Sequence, residues 1–243
     1  MNVRKHIPNS LTCANLACGC YACILALSGR YAEAMTAIFA AAAFDFVDGL
    51  AARLLNVCSP IGKDLDSLAD MVSFGVAPGL LLFNFIDCVQ KTVDWSHPAC
   101  GKVFLLAAWV IPILSALRLA RFNNDTRQST SFIGLPVPAH AIFWASLLCL
   151  LHPSAPTAGL LYGLPPVCIL VAAALLATAS SLLLVANVPM FSLKIKSPGW
   201  KGNELRYSFL FAALVLVASC GVAGITLSIM LYVLLSIFNK YTK

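Results

Sequence analysis

The chain has 243 residues, of which 60% are hydrophobic and only 11% charged, whereas a soluble domain carries about 25% charged residues. That balance excludes a soluble globular protein, and no polar segment is long enough to fold alone. The formal net charge of +6 sits between apolar runs, where it reads as membrane topology and attraction to anionic lipid, not as nucleic-acid binding.

The first residues, "MNVRKHIPNSLTCANLACGCYACILAL", are basic and then apolar, superficially like a signal peptide. Further apolar spans follow, so the segment reads as a first transmembrane helix that is kept. Runs of about 20 apolar residues are candidate spans. They fall near 11–29, 31–54, 65–88, 101–122, 136–152, 163–187, 207–221 and 222–239. The stretch 207–239 is too long for one span, and "SCGVAG" at 219–224 is the turn expected to divide it. The span at 136–152 is short and starts on prolines. The expected fold is an all-α integral membrane protein of eight transmembrane helices, six or seven being the alternative counts. It forms one domain over 1–243, a core of six helices (about 7–190) followed by a C-terminal helix pair (about 207–239).

The placement of Lys and Arg agrees with eight spans. One side would hold Arg4, Lys5, Arg53, Lys63, Arg118, Arg121, Arg127, Lys194, Lys196, Lys201, Arg206, Lys240 and Lys243. The other would hold only Arg30, Lys91 and Lys102. The excess of basic residues on the first side puts both termini in the cytosol. Of the ten cysteines, most lie inside apolar spans and read as small packing residues. The pair Cys20 and Cys23 has no second pair with which to form a zinc site. Cys88 and Cys100 share an outer loop, where a disulfide is an option.

Against this background one stretch is anomalous. "FDFVDGLAARLLNVCSPIGKDLDSLAD" (44–70) holds Asp45, Asp48, Asp64, Asp66 and Asp70, five of the ten acidic residues in the chain. A carboxylate in a bilayer costs a few kcal/mol even on lenient scales, so the stretch needs cations, water or a place at the membrane edge. Asp45 and Asp48 are three residues apart, Asp66 and Asp70 four. At 100° per residue each pair lies on one helix face, within about 60° and 40°. A short turn around "NVCSPIG" makes the two helices antiparallel neighbours, so four carboxylates can converge. Such a group repels itself unless neutralised. Oxygen-only ligands select hard divalent cations, Mg²⁺, Mn²⁺ or Ca²⁺, and two ions would balance four carboxylates. Paired hard cations recur in phosphoryl transfer.

Gly49 and Ala52 adjoin Asp48 and leave room for a ligand, as does Gly62 at the start of the next helix. Arg53 offers a fixed positive charge to a phosphate. One Asp pair alone would read as solvated surface; two facing pairs with small residues between them point to a site. Asp64 is off the shared face and reads as solvated, or as a favourable charge at a helix N-terminus.

The spacing Asp45-x2-Asp48-Gly49-x2-Ala52-Arg53-x8-Gly62-x3-Asp66-x3-Asp70 resembles the signature of the CDP-alcohol phosphotransferase family, with all eight positions filled. The resemblance implies transfer of a phosphatidyl or similar group from a CDP-linked donor to an alcohol, with release of CMP. It further implies that Asp45, Asp48 and Asp66 hold the metals, and that Asp70 is both a metal ligand and the base toward the acceptor hydroxyl. A homodimer is implied by the family alone. "IPNSLTCANLACG" (7–19), "DSLADMVSFGVAP" (66–78), "RLARFN" (118–123), "FIGLPVPAHA" (132–141) and "NVPMFSLKIKS" (187–197) resemble the membrane-embedded, bacterial phosphatidylserine-forming branch of that family. That likeness implies CDP-diacylglycerol and L-serine as substrates, Mg²⁺ or Mn²⁺ as cofactor with Ca²⁺ an inactive substitute, and the bacterial inner membrane as location.

The same stretches also admit plainer readings. Asn9 and Thr12 are polar where a nucleotide diphosphate would lie; the alternative is helix capping by Asn9 or Ser10. Arg118 and Arg121 share a face and suit a phosphate or the serine carboxylate; the alternative is membrane anchoring. Gly134, Pro136 and Pro138 break the chain where a helix N-terminus is freed for an anion. His140 is assigned no role. Lys194, Lys196, Lys201 and Arg206 form a basic loop that reads as topology and lipid contact. A different acceptor, such as glycerol phosphate or inositol phosphate, is the rival within the family. A cation-coupled transporter is the rival outside it, but no inverted repeat with broken midplane helices is visible.

Overall fold

The computed structural model describes residues 6–57, 60–93, 98–124, 132–152, 163–191, 199 and 203–241; for 60, 98–100, 132–133 and 239–241 the backbone alone is described. Arg4, Lys5, Arg127, Lys194, Lys196, Lys201 and Lys243, and the side chains of Cys100 and Lys240, therefore lie outside the described residues, as does most of the predicted basic loop.

Each of the eight predicted helices is present. α1 (His6–Leu27) and α2 (Tyr31–Leu54) are joined by a tight turn. Gly29 takes a left-handed φ of 72°, and the amides of Gly29 and Arg30 bond back to Ala26 and Leu25, a Schellman closure. Asn56 (φ 50°) repeats the pattern at the end of α2, where its amide and that of Val57 reach Arg53 and Ala52. Asn tolerates this conformation better than most residues. The reversal predicted near "NVCSPIG" thus begins with a defined cap.

The third helix is longer than the expected 65–88 and changes pitch. α3 (Pro60–Asp70) leads through a π-helical turn (Met71–Val76) into α4 (Ala77–Gln90), and the Ala77 amide bonds to Val72, five residues back. The polar, amphipathic sequence of α3 conceals its start from a search for apolar runs. α5 (Pro98–Asn124), α6 (Val137–Leu151), α7 (Pro166–Val185), α8 (Glu204–Cys220) and α9 (Val222–Tyr241) complete the bundle. The predicted break at 219–224 falls at Gly221, whose φ is 55°. Two strands of two residues each were not foreseen: β1 (Phe132–Ile133) pairs antiparallel with β2 (Pro189–Met190) and ties the entry of α6 to the exit of α7.

Among the described residues, five rods are long and apolar enough to cross a membrane: His6–Leu27, Tyr31–Leu54, Ile61–Gln90, Gly101–Asn124 and Pro166–Val185. Val137–Leu151 and Val222–Phe238 are shorter apolar helices. Large apolar side chains such as Leu54, Leu106, Leu175, Phe211 and Phe238 stand exposed on the outer faces, where lipid rather than water suits them. The protein is an all-α, multi-pass membrane protein.

The π turn and α4 form the centre, packed against α1, α2, α5 and α6. Small residues set the spacing, as is usual where lipid supplies no hydrophobic drive for helix association. A Cβ on Gly75 would lie 3.2 Å from Ser115 Cβ, and one on Gly79 would lie 3.0 Å from Pro112 Cδ and 3.2 Å from the Ala108 carbonyl oxygen. The Gly75-x3-Gly79 step therefore seats the π turn and α4 against α5. Phe74, Leu81, Leu82, Ile86 and Trp144 fill the core at 2% exposure or less. Cys18, Cys23 and Cys149 pack on it, but Cys13, Cys20, Cys168 and Cys220 are exposed on the helix surfaces, so packing accounts for only part of the cysteine usage. Cys88 is exposed on α4.

Candidate active site

α1, α2 and α3 converge at the end of the bundle where α2 stops and α3 begins. Asp45, Asp48 and Asp66 each present a carboxylate oxygen within 4.8 Å of the others. Asp70, one turn further along α3, interacts electrostatically with all three. Asp48 and Asp70 are buried, at 5% and 9% exposure, while Asp45 and Asp66 are half-buried. The two sequence pairs thus form one four-carboxylate cluster, with α2 giving two members and α3 the other two. Asp64 is exposed and outside it.

α1 supplies the hydrogen bonds. The Thr12 hydroxyl lies 2.6 Å from Asp48 Oδ2, and Asn15 Nδ2 donates to Asp70 Oδ1 at 3.2 Å. The ion pairs Arg30–Glu33 and Lys91–Asp87 are at the opposite end of the bundle. An oxygen-only donor set of this density fits hard divalent cations, and Asp45, Asp48, Asp66 and Asp70 are the residues that would hold them. The charge problem of four facing carboxylates is the same observation seen from the protein side.

Beside the cluster opens a cleft of about 220 Å³ lined by Pro8, Asn9, Thr12, Asp48, Gly49, Ala52, Val57, Gly62, Lys63 and Asp66. Five residues predicted for the donor, Asn9, Thr12, Gly49, Ala52 and Gly62, meet in its wall. A Cβ on Gly49 would meet nothing within 4 Å, so that position faces open space. Arg53 is exposed and turns back on its own helix, its Nε donating to the Gly49 carbonyl at 2.9 Å; it is not in the wall. Lys63 is in the wall, with Nζ 2.8 Å from the Asn123 carbonyl oxygen, and Asn123 also bonds Ser67. Sequence reasoning counted Lys63 for topology alone, although its position three before Asp66 puts it on the same face. Asn15 was missed as well, although it stands one turn beyond Thr12.

The two predicted arginines part company. Arg118 is buried, at 5% exposure, its guanidinium 5.4 Å from the centre of the Phe122 ring. Arg121 is exposed and donates to the Val185 carbonyl at 3.0 Å, joining α5 to α7. Neither lines the cleft. Before α6, the amides of Gly134 and Leu135 are taken by the Val188 and Leu183 carbonyls. His140 is fully buried; the Trp144 indole N–H donates to both its Nε2 and the Ser180 hydroxyl oxygen on α7, and Nε2 and that hydroxyl lie 3.0 Å apart.

Fold and site together define a multi-pass membrane protein whose polar centre is a carboxylate cluster beside an open cleft. Residues 5–185, three-quarters of the chain and all of this centre, match the CDP-alcohol phosphatidyltransferase family. The chain belongs to that family and is an enzyme of the phosphotransferase class. It is 37% identical to the CDP-diacylglycerol–serine O-phosphatidyltransferase of Bacillus subtilis over 134 residues, 55% of this chain and 70% of that protein. It is 32% identical over 221 residues to the protein of that name from Mycobacterium leprae, covering 87% of this chain and 67% of the relative. An archaetidylserine synthase from Methanothermobacter thermautotrophicus is 32% identical over 138 residues, 56% of this chain and 54% of that protein. The matches thus span 54% to 70% of these relatives' lengths.

Proposed function

We propose that this protein is a phosphatidylserine synthase, transferring the phosphatidyl group of CDP-diacylglycerol to the hydroxyl of L-serine and releasing CMP. The observation that carries this reading is the meeting of the carboxylate cluster with the cleft of Asn9, Thr12, Gly49, Ala52 and Gly62. The serine acceptor is supported by the names of the relatives from Bacillus subtilis and Mycobacterium leprae. The cytidine end of the donor occupies the cleft, and its acyl chains lie among the exposed apolar faces.

Lys63 offers a cation to the diphosphate within the cleft wall. Asp70 takes the proton of the serine hydroxyl. The serine oxygen forms its bond to the phosphorus bearing diacylglycerol, while the bond from that phosphorus to the CMP oxygen breaks. Two bound Mg²⁺ or Mn²⁺ ions would neutralise the carboxylates and the diphosphate and stabilise developing charge. Holding both substrates at one site supplies a large share of the rate. We assign Arg118 and Arg121 to recognition of a phosphate or the serine carboxylate and Arg53 to the donor, although none of the three is in the cleft wall. The distribution of Lys and Arg supports a cytosolic site in the bacterial inner membrane. A single domain with a core over 7–190, and a homodimer, complete the proposal.

The test is an acceptor panel. Purified protein, CDP-diacylglycerol and Mg²⁺ or Mn²⁺ are supplied with serine, glycerol phosphate or inositol phosphate, and CMP is measured. Serine-dependent release is expected; release with another alcohol and not serine would replace the acceptor and keep the family chemistry.

A further inference from the structure

α1 touches the carboxylate cluster through two side chains one turn apart. Thr12 reaches Asp48 on α2, and Asn15 reaches Asp70 on α3. The second contact has features that packing alone does not explain. Asn15 is fully buried. Its Nδ2 donates to Asp70 Oδ1 at 3.2 Å, yet its own Oδ1 is buried with no hydrogen-bond partner among the described residues. An unpartnered buried acceptor is costly, and an apolar side chain of similar size would avoid that cost.

The main chain at this residue is pinned as well. The Ser73 hydroxyl, from the π turn that follows Asp70, donates to the Asn15 carbonyl oxygen at 3.1 Å. One turn further along α1, a Cβ on Gly19 would lie 2.2 Å from Ser73 Oγ and 2.8 Å from Ser73 Cα. Only a glycine lets α1 approach Ser73 so closely. The approach fixes the height of Asn15 against α3, and the π turn, with its widened backbone, is the kind of irregularity that recurs at functional sites.

We infer that Asn15 is a positioning residue: with its backbone anchored by Ser73, its amide commits one oxygen of Asp70 to the protein and so sets how that carboxylate faces the other three. Removing it frees the Asp70 side chain to rotate, which weakens the shared cation site and misplaces the base. The inference rests on the reading above of Asp70 as metal ligand and base.

The variants Asn15→Leu and Ser73→Ala test it in the full-length protein in detergent. Two quantities are measured: the Mn²⁺ concentration at half-maximal thermal stabilisation, and CMP release at saturating CDP-diacylglycerol, serine and Mn²⁺. Partners that orient metal ligands are typically worth about 10- to 100-fold in affinity or activity. Asn15→Leu should raise the Mn²⁺ midpoint and lower turnover in that range, with the KM for CDP-diacylglycerol little changed and the metal-free melting temperature near that of the parent. Ser73→Ala, which leaves the amide but loosens its anchor, should shift both in the same direction by less. A parent-like Mn²⁺ midpoint in Asn15→Leu overturns the inference, even if its melting temperature falls. If Asn15→Leu does not fold, a parent-like Ser73→Ala overturns it instead. Should the parent release no CMP with any acceptor, the functional reading fails, while the Mn²⁺ midpoints still decide the role of Asn15.

Discussion

The Thr12 hydroxyl stands 2.6 Å from Asp48 Oδ2, although 36 residues separate them in sequence. The same oxygen is 3.1 Å from the Pro8 carbonyl oxygen in the preceding turn of α1. A hydroxyl has one proton to give, and the shorter contact gives it to the carboxylate. Thr12 therefore both lines the cleft and orients a member of the acidic cluster, which joins the cleft wall to the candidate cation site.

Chelation is the first test of that cluster. Three carboxylate oxygens within 4.8 Å, with Asp70 beside them, are expected to require divalent cations for function. CMP release should vanish in EDTA and return with Mg²⁺ or Mn²⁺. Undiminished release in EDTA would sink the two-cation reading.

Gly49 tests the cleft. Because a side chain there would enter open space, Gly49→Leu should leave the bundle intact and fill the cleft. Donor affinity, measured with a CDP-diacylglycerol analogue, is expected to be lost while the melting temperature in detergent is retained. Unchanged affinity would mean that the nucleotide binds elsewhere.

Asp70 and Asp64 form a matched pair, six residues apart, one in the cluster and one exposed. Asparagine at 70 keeps a neutral oxygen for a cation but cannot take a proton. General-base catalysis is typically worth about 10²- to 10⁴-fold, so Asp70→Asn should lower turnover at least that much at saturating metal. Donor binding should fall far less, since three aspartates remain. Asp64→Asn should be nearly silent. An Asp70→Asn enzyme within a few-fold of its parent, or a more damaging Asp64→Asn, would show that the base is misassigned.

Gly19 tests the seating of α1. Leucine there would drive a Cβ into the Ser73 side chain and backbone. Overpacking costs about 1–3 kcal/mol when side chains can move, and a backbone obstacle puts Gly19→Leu at the upper end or beyond. The expected outcome is a marked fall in melting temperature. A melt coincident with the parent's would show that α1 and the π turn separate more easily than this packing implies.

Much of this protein was determined by its sequence alone. Apolar runs predict the helices because a bilayer requires long spans whose backbone groups bond internally. The spacing of Asp45, Asp48, Asp66 and Asp70 selects a face on each of two helices, and antiparallel neighbours bring those faces together. Small residues Gly49, Ala52 and Gly62 foretell an open wall because nothing larger fills the space. Tertiary structure alone decided which other groups reach that wall. Asn15 meets Asp70 across 55 positions because α1 packs against α3 and the π turn, where Gly19 comes close to Ser73. Arg53 turns onto its own helix, whereas Lys63, read for topology, enters the cleft. The π turn at Met71–Val76 was invisible to a search at 3.6 residues per turn. It changes the helical phase between the part of the rod that carries the aspartates and the part that carries Gly79. Helical periodicity is a local property of the chain, whereas the rotation and height of one helix against another are set by the side chains that meet between them.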